Sequence, residues 1–271
     1  MLTMRRAAAV LVSAGVVLTV TLPFPTASAQ ERAAATNVKT WLDNPKEFED
    51  YLRSAEVVSM EEIKVGVTHP RKAKLAPGGP FEAFAFKTIQ PGRYEGYWES
   101  YKSEIAAYEL DKLLGLGMVP PTVEKRVKGD TGAAVMWVSP TKSFKDLGGV
   151  PGQKGIAGPS GLALVNWNRQ LLRAKMFDDL IGNIDPNLGN WLVDPGWNLV
   201  LIDHTRAFTT TKELYHQLTQ ADPELWAKMK ALDEASLTEA IGKWVGKAEI
   251  KTILQRRDKI QQVLDKLGKS H

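Results

Sequence analysis

The sequence predicts an α+β protein with two lobes, and three features support this. Short apolar runs of strand character fill the first half of the chain and enclose one long amphipathic run. Runs with helical spacing dominate the second half, and two short apolar runs among them indicate a single hairpin. A Gly- and Pro-rich connection separates the halves. Strands followed by helices favour the α+β class.

The composition is that of a globular chain, with 271 residues of which 44% are hydrophobic and 24% charged. This length allows one large domain or two packed lobes. The absence of cysteine excludes disulfides, thiolate zinc sites and acylation of an N-terminal cysteine. A core of this size can supply the folding stability without such cross-links.

Residues 1–29 have the features of a secretory signal peptide. Two arginines precede an apolar stretch that closes on Ala27, Ser28 and Ala29, a pattern of small residues typical of a cleavage site. We predict cleavage after Ala29 and a secreted or periplasmic protein with no membrane anchor; an uncleaved anchor is the alternative. The full chain has 35 basic and 31 acidic residues; without Arg5 and Arg6 of this segment, 33 basic and 31 acidic residues remain, which is close to balance. The basic character of the full chain is therefore no indication of nucleic-acid binding, and none is expected.

The next part of the chain is predicted to form an N-terminal extension with a helix, residues 30–55, and a sheet-rich N-lobe, residues 56–140. Asn and Pro near the start of 43–55 favour a helix there. The segment 97–116 has apolar residues at helical spacing and ends on glycine. Strand character is found in EIKVGVTH, RKAKLA, FEAFAFKTI, TVEKRV and GAAVMWVS.

Residues 141–271 are predicted to form a helix-rich C-lobe. The segment 139–161 is rich in Gly, Pro and Lys, which indicates a mobile loop. A helix over 163–181 and a hairpin of the runs NWLVD and NLVLID follow it. Helical spacing then continues in KELYHQL, DPELWAKMKAL, SLTEAIGKWV and AEIKTILQRRDKIQQVLDKL.

Three polar residues lie at the ends of the predicted elements around the hairpin. The loop GNIDPNLGNW contains Asp185 and, five residues later, Asn190, and the second hairpin strand ends at Asp203 in LIDHTRAF. Phosphoryl transfer needs a carboxylate to orient the acceptor hydroxyl and oxygen ligands for a magnesium ion. These three residues could supply both. The alternative is a plain turn, because Asp, Pro, Asn and Gly dominate turns.

A cation for the donor phosphates is expected in the first half of the chain. Lys87 ends the alternating strand FEAFAFKTI, and Glu104 lies early in the next predicted helix. An apolar strand would not normally contain a lysine without a partner, and Glu104 is the candidate. Glu99 and Glu109 are neighbouring alternatives. Lys87 could instead be an edge-strand lysine that prevents aggregation.

The chain resembles an atypical member of the protein-kinase-like superfamily, near the HipA-type bacterial kinases, the phosphoinositide 3-/4-kinases and the secretory-pathway kinases. The segments that resemble these proteins are AFAFKTI, SEIAAYELDKLLGLGMVPPTV, AVMWV, LIGNIDPNLGNWLV and LIDHTRAF. The resemblance implies a two-lobed protein-kinase-like fold of the α+β class. It also implies that Lys87 is the phosphate-binding lysine and Glu104 its helix partner. Asp185 would be the catalytic aspartate, with Asn190 and Asp203 as metal ligands.

The same resemblance implies the ligands. Met136 and Val138 lie in the segment that resembles the adenine-binding hinge. ATP or another nucleoside triphosphate would bind with Mg or Mn, and the acceptor would be an unknown hydroxyl of a protein, sugar or lipid. A monomer is expected.

The sequence also departs from the family pattern. It has no G-x-G-x-x-G, so the glycine turn over the phosphates could be at Gly66 or at the Gly-Gly pair 78–79. Relatives often have Arg or His just after the catalytic aspartate or two places on, where this chain has Pro186 and Asn187. A pseudokinase that acts as a nucleotide- or partner-binding module is a second hypothesis, because ATP is scarce outside the bacterial membrane. The presence of every expected site residue favours the enzyme.

Overall fold

The computed structural model describes residues 38–63, 70–153, 155–185 and 187–268. The predicted signal peptide, Gly66 and Pro186 lie outside the described residues. Within the described part of the chain, no helix is long and apolar enough to cross a membrane.

The described residues form six helices and ten strands. In chain order they are α1 (Pro45–Ser54), β1 (Val57–Glu62), β2 (Arg71–Leu75), β3 (Ala83–Lys87), β4 (Gly92–Tyr94), β5 (Tyr97–Glu99), α2 (Tyr101–Leu114), β6 (Thr122–Val127), β7 (Asp130–Met136), β8 (Lys142–Ser143), α3 (Leu162–Ile181), β9 (Trp191–Val193), β10 (Leu199–Leu201), α4 (Pro223–Ala231), α5 (Glu234–Ile241) and α6 (Lys247–Gly268). The sheet-rich half precedes the helix-rich half, so the predicted two-lobed α+β fold is confirmed.

A five-stranded antiparallel sheet is the centre of the first lobe, with strand order β1-β2-β3-β7-β6. Side chains alternate across β3. Phe84 and Phe86 join a core with α1, whereas Ala85 packs in a separate cluster with Ile105 of α2. The sheet is thus covered by α1 on one face and by α2 on the other. Because β3 is the central strand, the interpretation of Lys87 as an edge-strand lysine was wrong.

A buried lysine ties α1 to the sheet. Lys125 of β6 donates from Nζ to the carbonyls of Leu52, Arg53 and Ala55, at 2.8, 2.9 and 3.0 Å. The last carbonyls of a helix have no partner within the helix, and this ammonium supplies one.

Helix α2 begins four residues later than the sequence predicted. The side chain of Ser100 accepts a hydrogen bond from the Lys102 N–H and caps the helix at that point. Tyr97–Glu99 pairs instead with β4, across a turn in which Glu95 and Gly96 have positive φ. The first strand also differs: β1 lies at Val57–Glu62, before most of the run EIKVGVTH, of which 64–69 lie outside the described residues.

The core of the second lobe is built around α3, the β9–β10 hairpin and the C-terminal helices. The prediction of a mobile loop over 139–161 was wrong at its start, because β8 pairs with β9 and Phe144 is fully buried in this core. The run KELYHQL is not helical. The carboxylate of Asp179 accepts the N–H groups of Tyr215 and His216 at 2.7 and 3.0 Å, bonds that replace those of a helix. The other three predicted C-terminal helices are present as α4, α5 and α6.

Candidate active site

Lys87 lies between two carboxylates at the cleft between the lobes. Its Nζ donates to Glu104 Oε1 at 2.6 Å and to Asp203 Oδ1 at 2.8 Å. Burial by itself lowers the pKa of Lys87, but the charges of Asp203 and Glu104 outweigh it and hold this pKa above its usual range. Lys87 is therefore a fixed cation that joins the sheet, α2 and the segment after β10.

Glu104 is nearly inaccessible to solvent, with 1% of its side chain exposed. Burial favours its neutral form, yet the adjacent Lys87 prevails and lowers the pKa of Glu104. Its Oε1 also accepts the His204 N–H at 3.0 Å. Of the three glutamates that the sequence offered, this one contacts Lys87. Glu99 pairs with Arg206, and Glu109 with Lys112.

Asp203 adopts a left-handed backbone conformation, with φ of 63°. Asp tolerates this region better than most residues, because its short side chain can bond locally. Its Oδ1 accepts the hydroxyl of Thr205 at 3.1 Å as well as the Lys87 ammonium. The side chain is 31% exposed, so the carboxylate is held in place while part of it remains accessible to solvent.

The loop between α3 and β9 holds Asp185 and Asn190. Gly182 ends α3 in the left-handed conformation. The Asn183 side chain then accepts the Asp185 N–H at 3.3 Å, and Asn190 Nδ2 donates to the Asp185 carbonyl at 3.4 Å. The Asn190 carbonyl accepts the Ile202 N–H at 3.0 Å. The loop is therefore bonded directly to the segment that contains Asp203.

Arg206 is a member of this cluster that the sequence did not single out. Its Nη1 lies 3.7 Å from Asp185 Oδ2, its Nε donates to Glu99 Oε1 at 2.8 Å, and its Nη2 forms an ion pair with the same oxygen at 2.7 Å. Burial raises the pKa of Asp185; Arg206 opposes this effect, and Asp203 adds to it. The clue in the sequence was the arginine three residues after Asp203 in LIDHTRAF.

The predicted hinge residues lie at the end of β7. The side chains of Met136 and Val138 are buried, and both belong to the core that contains Phe84. The Met136 N–H donates to the Pro121 carbonyl at 2.9 Å, so this donor is already engaged within the protein. Cavities of about 300 and 490 Å³ adjoin Pro140, but Lys87, Asp185 and Asp203 line neither of them.

The sheet register separates the two candidate glycine turns. Arg71, the first residue of β2, pairs with Phe86, next to Lys87, whereas Lys74 pairs with Ala83 at the opposite end. β1 ends at Glu62, which pairs with Arg71, so both strands end beside Lys87; Gly66 follows β1 and lies outside the described residues. The Gly-Gly pair 78–79, between β2 and β3, lies at the other end of the sheet, away from Lys87.

Comparison with known proteins supports the fold. No family model and no curated protein matches the sequence significantly. The Golgi casein kinase matches with a TM-score of 0.59 at 14% identity, over 91% of this chain and 77% of the kinase. A hydra Fam20 structure with sugar has the same TM-score at 15% identity, over 82% of this chain and 88% of its own.

A bacterial structure matches as well. The Helicobacter pylori proinflammatory kinase CtkA gives a TM-score of 0.51 at 14% identity, over 80% of this chain and 97% of the kinase. A second structure of the Golgi casein kinase, with Mn/ADP bound, gives 0.55 at 14% identity over 82% and 75%. The chain therefore has the atypical protein-kinase-like fold that the sequence predicted.

Proposed function

We propose that this protein, with its atypical kinase-like fold, is a phosphotransferase that moves the terminal phosphoryl group of a nucleoside triphosphate to a hydroxyl. The observation that carries the proposal is Lys87 bonded to both Glu104 and Asp203. A buried lysine shared by a helix and a cleft carboxylate costs desolvation energy that packing alone would not require. Phosphoryl transfer uses such a cation to hold the donor phosphates.

Each residue then has a chemical role. Lys87 binds the donor phosphates and Glu104 orients it. Asp185 accepts the proton of the acceptor hydroxyl, whose oxygen forms a bond to the terminal phosphorus while the bond to the bridging oxygen breaks and the diphosphate leaves. The raised pKa of Asp185 suits a proton acceptor. Met136 and Val138 would lie near the nucleotide base.

The donor set fits a divalent cation. The carboxylates outnumber the cations in this cluster, in which Glu99, Glu104, Asp185 and Asp203 face Lys87 and Arg206. Asn190 and Asp203 offer the oxygen ligands that Mg and Mn prefer. No group of three or more His, Cys, Asp or Glu residues in the described ranges could hold a metal alone, so phosphate oxygens would complete the coordination. The bound cation would neutralise charge on the phosphates. The kinase neighbour with Mn/ADP supports this choice.

The test is thermal unfolding with ATP, GTP or UTP and Mg or Mn. A ligand at about 100 times its dissociation constant should stabilise the protein by about 2.7 kcal/mol, or roughly 5–10 °C at this chain length. Asp203→Asn should remove the metal-dependent part, and Asn tolerates the left-handed backbone there. Asp258→Asn, a surface change far from the cleft, is the control. If no combination of nucleotide and metal raises the unfolding temperature, nucleotide binding is contradicted.

Turnover separates the enzyme from the binding module. We expect label from γ-labelled ATP to appear in inorganic phosphate or on protein, sugar or lipid acceptors offered in parallel. Nucleotide-dependent stabilisation without any label transfer would favour the pseudokinase.

A further inference from the structure

Arg206 is fixed on three sides beside Asp185. Its Nε donates to Glu99, its Nη2 lies at ion-pair distance from the same carboxylate, and the guanidinium lies over the ring of Tyr97, 4.5 Å from the ring centroid. The third nitrogen, Nη1, is left directed at Asp185 Oδ2 at 3.7 Å. Glu99 and Tyr97 both belong to β5, so this short hairpin sets the position of the guanidinium. Only the planar fork of arginine can make all these contacts together.

The loop around Asp185 contains no cation of its own. The stretch GNIDPNLGNW has neither Lys, Arg nor His. Lys87 is already shared by Glu104 and Asp203. Within the ranges that the structure describes, the ion pair of Asp185 is with Arg206. A second carboxylate, Asp203, repels Asp185, and donor phosphates would add further negative charge.

We propose that Arg206 is the positioning residue of Asp185: it holds the carboxylate toward the acceptor and supplies, from the segment after Asp203, the positive charge that the loop lacks. This inference rests on the proposed phosphotransferase function. The 3.7 Å separation is an ion-pair distance, longer than a hydrogen bond. Asp185 Oδ2 therefore remains free to accept the acceptor proton while Coulomb attraction limits its movement.

The competing explanation is purely architectural. Arg206 could simply join β5 to the Asp203 segment through Glu99, and its loss would then lower stability and nucleotide binding together. A positioning role predicts a different pattern. Turnover would fall while nucleotide affinity stays the same, because Arg206 contacts Asp185 and is not among the contacts of Lys87.

The experiment compares wild type with Arg206→Ala, Arg206→Gln and the control Arg93→Ala, whose guanidinium donates to the Gly96 carbonyl in the same hairpin. Release of inorganic phosphate from Mg-ATP or Mn-ATP gives kcat and KM, and thermal shift gives nucleotide binding. Both Arg206 variants should lose roughly 10- to 100-fold in kcat, with KM and the thermal shift within about twofold of wild type. Arg93→Ala should behave as wild type.

Two further measurements distinguish positioning from architecture. Millimolar guanidinium chloride should restore part of the kcat of Arg206→Ala, whereas equal sodium chloride should not. The double variant Asp185→Asn/Arg206→Ala should be no slower than Asp185→Asn alone, because residues that act as a unit are not additive. Any of three results would overturn the inference. These are full kcat in both Arg206 variants, equal losses in kcat and nucleotide binding, and additive losses of kcat in the double variant. An inactive wild type overturns the phosphotransferase proposal with it, whereas an active wild type with unimpaired Arg206 variants overturns this inference alone.

Discussion

At the scale of single residues, Asp185 is subject to opposing forces. Burial and the charge of Asp203 raise the pKa of its carboxyl, and Arg206 lowers it. The balance leaves this pKa above its usual range, which makes the carboxylate a better proton acceptor. Asp185 is also the group that would contact the acceptor, whereas Lys87 and Asp203 would contact the donor.

Asp185→Asn tests this division of roles. Asn has nearly the same shape but cannot accept the proton, so turnover should fall roughly 10²–10⁴-fold. Stabilisation by Mg-ATP should remain, because the donor contacts are intact. Phosphate release and thermal shift, measured on the same preparations with Asp258→Asn as control, check the prediction. A variant as active as wild type would mean that the loop is the plain turn its composition also permits.

At the scale of elements, Asp222 joins α3 to α4. It caps α4 by accepting the Leu225 N–H at 2.9 Å, and it pairs with Arg169 at 2.6 Å and Arg173 at 3.0 Å, both on α3. Burial alone would raise the pKa of Asp222, but the hydrogen bonds of the arginines outweigh this and lower it to about 2. Since this pKa lies below that of the unfolded chain, the pair stabilises the fold above about pH 4 and less as pH falls toward 2.

Asp222→Asn should isolate this charge, because Asn is an equally good helix cap. Near neutral pH we expect the free energy of unfolding to fall by about 1–2 kcal/mol, a value reduced because Arg169 is partly exposed. This loss should shrink as pH falls through 4 toward about 2. Urea unfolding at several pH values measures it. Glu224→Gln is the matched control: Glu224 pairs with the same arginines but is 72% exposed, so the change should have little effect on the unfolding free energy at any of these pH values. A loss that does not vary with pH would argue against the charge explanation.

At the scale of the whole molecule, the last helix, α6, is hydrogen-bonded to the chain on both sides of the candidate site. The fully buried Arg256 of α6 donates to the carbonyls of Leu180, Thr209 and Thr211, at 2.8, 3.0 and 2.6 Å. Leu180 precedes the Asp185 loop, and the two threonines follow the Asp203 segment. In the sequence RRD of α6, Arg257 pairs with Asp258, whereas Arg256 binds backbone carbonyls.

Arg256→Met should leave these three carbonyls without this donor, and that of Leu180 is buried. We expect a loss of about 2–4 kcal/mol in unfolding free energy and faster amide exchange in the residues next to the Asp185 loop. Denaturant unfolding and hydrogen exchange provide the measurements. Lys251→Met, an exposed change on the same helix, should alter stability by no more than about 0.5 kcal/mol. Equal effects of the two substitutions would show that Arg256 does not hold the site together.

Export concerns the whole molecule as well, and it remains a proposal. Cleavage after Ala29 should give a mature chain that begins at Gln30, because the three preceding residues are small. N-terminal sequencing of protein from the medium or periplasm measures this directly. Intact cytoplasmic protein beginning at Met1 would contradict it, and would place the protein where ATP is abundant.

The sequence by itself determined the features that depend on nearby residues. Hydrophobic periodicity, caps and turn residues predicted the fold class, the strand β6 and the helices α1, α3 and α4 with small shifts at their ends. The five-residue spacing of Asp185 and Asn190, and the position of Asp203 after a hairpin, were equally local. These features were readable because periodicity and capping act within a few residues.

Only the tertiary structure decided which distant groups meet. It selected Glu104 over Glu99 as the partner of Lys87, placed β3 at the centre of the sheet and brought Arg206 to Asp185. It also replaced the helix predicted at KELYHQL by bonds to Asp179. Each of these outcomes depends on contacts between residues far apart in the chain, for which local propensity has no information: Lys87 and Asp203, for example, are separated by 116 positions. Burial then makes such contacts decisive, because a charge removed from water must find its partner wherever the fold supplies one.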